Sequence, residues 1–157
     1  MDVLIVYGSQ FGTTEHLANV MAAALSPTHT VYVRHARETD RISGREIDLL
    51  IVGAPTQMHG LRLLVRPFLA GLAEHGFREV AAAAFDTRGA GSVEQTGSAA
   101  ASIARRLERA GCRLVKPPEG FIVTDLKGPL AEGEEARAVA WVLDVAAAAT
   151  PLGVASV

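Results

Sequence analysis

Cysteine occurs once in this chain, at Cys112, so no internal disulfide can form. The chain opens into a strand pattern at Asp2 with no charged-then-apolar leader before it, and a reducing, cytoplasmic setting is expected. Long apolar runs are missing: Val80 to Phe85 and Ala146 to Ala149 fall far short of the roughly 20 residues a membrane-spanning helix needs. No membrane association is expected. Charge of one sign is also missing. The formal net charge is -2 with both signs mixed along the chain, so no basic stripe tracks nucleic-acid phosphates. The G-x-x-x-x-G-K-[ST] pattern of a nucleoside triphosphate loop and the G-x-G-x-x-G pattern of a dinucleotide site are both absent. No nucleophile elbow or paired-acid motif supports hydrolysis. No spaced Cys or carboxylate partners accompany His16, His29, His35 or His75, so no metal site is expected.

The 157 residues, 49% of them hydrophobic, suffice for one ordinary core. We expect one domain over residues 1–149 and a short tail over 150–157. Val3 to Tyr7 and Leu49 to Val52 are continuous, β-branched-rich runs closed by Gly8 and Gly53, the pattern of strands buried on both faces. Val31 and Val33 alternate with Tyr32 and Arg34 as in a half-exposed strand, and Val80 to Phe85 reads as a fourth strand. Cys112 to Val115 begins a fifth, which Pro117 and Pro118 interrupt and Phe121 to Val123 resume.

Helical spacing separates these runs. Leu17, Val20 (or Met21) and Ala24 share a face before Pro27; a second helix starts near Arg66 and runs through Leu72 to end before Gly76. Ser98 caps a third whose Ala99, Ile103 and Leu107 share a face before Gly111, and a last helix covers about Glu134 to Ala147. Strands alternating with helices predict an α/β, doubly wound parallel sheet, which binds ligands outside the carboxyl ends of its strands where the winding reverses. Three loops should converge there: Gly8 to Thr14, Ala54 to Gly60, and Asp86 to Gly91.

The first loop sets hydroxyls and backbone amides just before a helix N-terminus, where unsatisfied N–H groups favour an anion and Gly12 allows close approach. Taken alone, Ser9, Thr13 and Thr14 fit either a phosphate nest or simple helix capping. With the two nucleotide fingerprints missing, a monophosphate fits best. The acidic cluster that a receiver domain carries after its first strand is replaced by Gly8-Ser9-Gln10.

Gly8-Ser9-x-x-Gly12-x-Thr14-Glu15 resembles the flavin mononucleotide (FMN) phosphate loop of the flavodoxin family, and Gly53-Ala54-Pro55-Thr56 resembles its second flavin loop. The likeness covers nearly the whole chain, including Phe85-Asp86-Thr87-Arg88 at the third loop and the Pro118 to Phe121 and Gly128 to Leu130 segments, which look like those of a single-domain bacterial branch. The resemblance implies a flavodoxin-like, five-stranded sheet of order 2-1-3-4-5, a non-covalently bound FMN, and electron transfer with transient redox partner proteins. By position, Ser9, Gln10, Phe11, Gly12, Thr13 and Thr14 would surround the phosphate. Pro55, Thr56, Gln57, Met58, His59 and Gly60 would flank one side of the isoalloxazine, and Asp86, Thr87, Arg88 and Gly89 its other side and pyrimidine edge.

The pattern also departs from the family. Phe11 stands where a hydroxyl residue is usual, Thr13 where Asn is common, and the second and third loops offer no Trp or Tyr to sandwich the flavin, leaving His59 and Met58. With His59, Arg62 and Arg88 in or beside the site, we expect a less negative potential than a typical flavodoxin's unless Arg88 pairs with Asp86. Trp141 is expected to pack on the sheet, and Cys112 to be buried and inert. Two other functions stay open: an FMN-dependent reductase of quinones or other small acceptors, and an interaction module that keeps the fold without FMN.

Overall fold

A computed structural model describes residues 1–57 and 63–151, so most of the expected tail lies outside the described residues. The sheet contains β1 (Asp2–Tyr7), β2 (Thr30–His35), β3 (Leu49–Pro55), β4 (Ala81–Gly89), β5 (Arg113–Leu114) and β6 (Glu119–Val123). Its order is β2-β1-β3-β4-β5, with β6 also on β4, and all of these pairings are parallel. The expected fifth strand is therefore two segments on one neighbour. Proline has no N–H to give a ladder, and Pro117 and Pro118 fall in the gap between them.

Among the described residues, five α-helices accompany the sheet, with one 3-10 turn at Gly44–Glu46: α1 (Thr13–Leu25), α2 (Arg66–Ala70), α3 (Val93–Thr96), α4 (Ala99–Arg109) and α5 (Glu134–Ala149). Leu17, Met21 and Leu25 of α1 are fully buried with Val142 and Val145 of α5 on one face, against Ile5, Ile51 and Ala83. Burial of such side chains contributes roughly 1.5–3 kcal/mol each. Ile103 and Leu107 of α4, with Phe68 and Leu69 of α2, cover the other face, over sheet residues such as Ala82. Met21 takes the buried position of α1, and Val20 is only partly covered.

Alternation along β4 decides what reaches each layer. Ala82 and Ala84 face α4, whereas Ala83 and Phe85 face α1 and α5. Phe85 lies over Gly53, where an added Cβ would come within 2.1 Å of the ring. Its edge contacts with Phe121 and Trp141, at centroid distances of 6.2 and 6.1 Å, fix Trp141 as a packing residue.

Two segments differ from expectation. The second helix starts at Arg66 but stops at Ala70, because Gly71 caps it with an N–H donated to the Phe68 carbonyl, and turns lead on to Gly76. Within the glycine-rich stretch after β4, α3 forms a single turn closed by the Ser92 amide donating to Gln95 Oε1 at 2.9 Å.

Candidate functional site

Parallel pairing brings the carboxyl ends of β1, β3, β4 and β6 to one edge. After β1 the chain turns tightly: Ser9 Oγ accepts from the Gly12 amide at 3.0 Å, and Gly12 adopts φ +91°, open to glycine at little cost. Gly12 is the N-cap of α1 and has no side chain to satisfy the helix start. The Thr13, Thr14 and Glu15 amides consequently have no acceptor among the described residues. An added Cβ at Gly12 would meet nothing within 4 Å, so the approach to these amides is open. The buried Thr14 hydroxyl instead meets that of Thr87 at 3.0 Å.

From β3, the Thr56 amide donates to the Thr87 carbonyl at 2.8 Å, and Thr56 Oγ1 accepts from the Ala99 amide at 2.9 Å. The second loop is thereby tied both to β4 and to the start of α4. Gln57 Oε1 is buried with no hydrogen-bond partner among the described residues. Alternation then splits the third segment: Thr87 turns toward α1, and Asp86 toward α4. Asp86 is fully buried, with Oδ2 accepting from Ser98 Oγ at 3.0 Å and from the Ala100 amide at 2.9 Å. Burial pushes its carboxyl above the usual aspartate value, opposed by the Ala100 amide, Arg88 and the Ser98 and Thr56 hydroxyls.

These elements enclose a cavity of about 510 Å³. Ser9, Gln10, Phe11, Thr13, Thr14, Pro55, Thr56, Gln57, Thr87, Arg88 and Gly89 all line it, as the three loops predict. Gly12 sits just outside this lining, and Asp86 lies behind the wall. Met58, His59 and Gly60 fall outside the described residues, as does Arg62. Of the two readings left open for Arg88, the structure shows the pairing with Asp86: its Nε lies 3.3 Å from Asp86 Oδ1 with the side chain 14% exposed. Both residues point to the α4 face because they are two apart on one strand.

A fourth wall lies beyond the three expected loops. Ile122, Val123, Thr124, Asp125 and Leu126, at and beyond the end of β6, close the cavity with Ala90 and Ala131. Since β6 runs parallel to β4, its following loop has to reach the same edge; the resumed strand after Pro118 is the available signal. That loop folds onto α1, with Thr13 Oγ1 donating to the Lys127 carbonyl at 3.5 Å. Lys127 Nζ stands 5.6 Å from the centroid of the Phe11 ring. A cation is thus held beside the α1 N-terminus where the family's usual hydroxyl is replaced by Phe11.

Among the described residues, no group of three or more His, Cys, Asp or Glu side chains converges, and no helix is long and apolar enough to cross a membrane.

The family model for flavodoxin matches residues 5–141. Solved structures share the fold: oxidised flavodoxin 1 from Bacillus cereus has a TM-score of 0.76 at 17% identity, over 94% of this chain and 98% of that one. A point mutant of flavodoxin from Pseudomonas aeruginosa has a TM-score of 0.73 at 22% identity, again over 94% and 98%. Rubredoxin oxygen:oxidoreductase from Desulfovibrio gigas matches at 0.72 and 18% identity, over 94% of this chain but 36% of that one. No curated protein matches in sequence. Family match, strand order and cavity position agree, and the chain belongs to the flavodoxin family of electron-transfer flavoproteins.

Proposed function

We propose that this chain binds one FMN in the cavity at the carboxyl edge and carries electrons between transient redox partner proteins. The observation that carries this reading is the open cradle at α1: three amides without a described acceptor, at the positive end of a 13-residue helix, bordering the cavity. Ser9, Gln10, Phe11, Gly12, Thr13 and Thr14 would hold the phosphate, with Lys127 adding positive charge beside them. Pro55, Thr56, Gln57, Thr87, Arg88 and Gly89 would border the flavin ring, and Met58, His59 and Gly60 belong to the same proposed set. When bound, FMN supplies the redox chemistry; the chain orients it and sets the charge around it.

The same cradle argues against a module that has dispensed with FMN. Electron carriage is separated from direct reduction of a small acceptor by one assay. FMN-loaded protein is mixed with NADPH, with or without a flavoprotein reductase, and cytochrome c or a quinone is offered as acceptor. A carrier reduces cytochrome c only when the reductase is present. Steady quinone turnover with NADPH alone would overturn the carrier reading in favour of a reductase.

A further inference from the structure

Asp86 is a fully buried acid, and its position differs from that of an ordinary helix cap. Oδ2 is satisfied twice, by Ser98 and Ala100, whereas Oδ1 has no hydrogen bond despite the 3.3 Å approach of Arg88 Nε. Arg88 is held in place by β6. Gly120 pairs in register with Asp86, and an added Cβ there would fall 2.0 Å from Arg88 Nη2. The guanidinium therefore lies over a position that only glycine leaves free, between the buried carboxylate and the cavity it lines.

Charge around Asp86 is sparse. The Thr56 hydroxyl faces it from just after β3, the Ser98 hydroxyl from the N-cap of α4, and the Ala100 amide from α4 itself. From β6 the neighbour is Gly120; the adjacent Glu119 is engaged by Arg137 at 3.1 Å. Among the described residues, Arg88 is the one charged side chain within ion-pair distance of Asp86. The pair is neutral to the cavity while Asp86 is ionised.

Resting on the FMN reading above, we propose that Asp86 and Arg88 form a proton-gated charge pair: Asp86 takes up a proton when an electron enters the cavity, and Arg88 then faces the new negative charge without its counter-ion. The electron comes from a reduced partner protein and the proton from solvent. The proton adds to Oδ1, no bond between heavy atoms changes, and the cavity with its wall gains no net charge. An added negative charge disfavours a nearby carboxylate, and the burial that already lifts the Asp86 carboxyl acts in the same sense. Thr56, which lines the cavity and lies within reach of the carboxyl, connects the two.

The test uses the full chain loaded with FMN. The carboxyl infrared band of Asp86 is titrated with pH in the oxidised and the one-electron-reduced protein, and the potential of that same one-electron step is measured over the same range for wild type, Asp86→Asn and Gly120→Ala. The expected result is a titration midpoint about one pH unit higher in the reduced protein. The potential then rises as pH falls between the two midpoints, by about 59 mV for a tenfold change. Asp86→Asn should lose that pH-dependent segment and hold, over the whole range, the potential that wild type reaches only at low pH. Gly120→Ala, which displaces the guanidinium but removes no charge, should raise the Asp86 midpoint in both states. Equal midpoints in the two redox states, or a wild-type pH slope in Asp86→Asn, would overturn the proposal. Failure of the Thr13 and Thr14 amide signals to move on adding FMN would overturn the FMN reading itself, and this inference with it.

Discussion

The hydroxyls of Thr14 and Thr87 meet at 3.0 Å, and both residues are buried. One belongs to the first turn of α1 and the other to the last residues of β4, so a single hydrogen bond locks the proposed phosphate loop to the strand whose end borders the proposed ring site. Replacing either threonine by valine leaves the other hydroxyl buried and unpaired, at a cost of about 1–3 kcal/mol. The double replacement should be less destabilising than the sum of the two. Urea unfolding of the FMN-free protein, followed by Trp141 fluorescence, measures all three; strict additivity would show that the hydroxyls are not coupled.

Glu134 ties the start of α5 to the resumed strand. Its carboxylate accepts from the Ile122 amide at 2.7 Å and from Arg137 Nε and Nη2 at 2.9 and 2.8 Å. The Arg137 bonds come first among the causes that hold its pKa below the ordinary 4.5. The folded protein therefore binds fewer protons here than the unfolded chain. The stabilisation is complete above about pH 4.5 and is lost as pH falls through the folded-state value. Glu134→Gln should cost about 1–2 kcal/mol at pH 7 and flatten the acid limb of stability against pH. An unchanged acid limb would contradict the assignment.

Cys112 donates to the Phe77 carbonyl from a buried position, and burial pushes its thiol up to about 11. At pH 8 only about one thiol in a thousand is ionised. Native protein should stay unmodified by a thiol-specific disulfide reagent over the time in which urea-unfolded protein reacts completely. Rapid reaction in the native state would show that the Phe77–Cys112 layer opens readily.

Lys127 is exposed beside Phe11, at the entrance to the α1 amides. Lys127→Ala should weaken FMN binding by about two- to five-fold at low salt, the usual range for an exposed charge, with a smaller loss at high salt. Riboflavin, lacking the phosphate, should bind equally to both proteins. An equal loss for both ligands would place Lys127 away from the phosphate.

The buried strands are legible in the sequence because β1 and β3 are covered on both faces and so read as unbroken apolar runs. Trp141 and the described residues of the three cavity loops are legible for a related reason: each follows from element order and strand direction. What stays hidden depends on contacts remote in sequence. The turn α3 is too short for any period to show, and Gly71 ends α2 by a backbone bond within a stretch whose apolar spacing continues. Asp86 reads as a loop acid until β4 is seen to extend to Gly89, which places the carboxyl under the start of α4. Its pairing with Arg88 then removes that residue's charge from the count of free cations at the site. The wall after β6 escapes a sequence reading because an interrupted fifth strand looks like the close of the sheet, not the source of another loop at the same edge.

The central claim is that the α1 amides receive the phosphate of FMN. It is tested most directly by titrating FMN and riboflavin separately into the FMN-free protein and following quenching of flavin fluorescence. The account predicts saturable binding of FMN that is much tighter than that of riboflavin, and loss of that difference when inorganic phosphate competes. Equal affinity for the two ligands, or binding of neither, would contradict it.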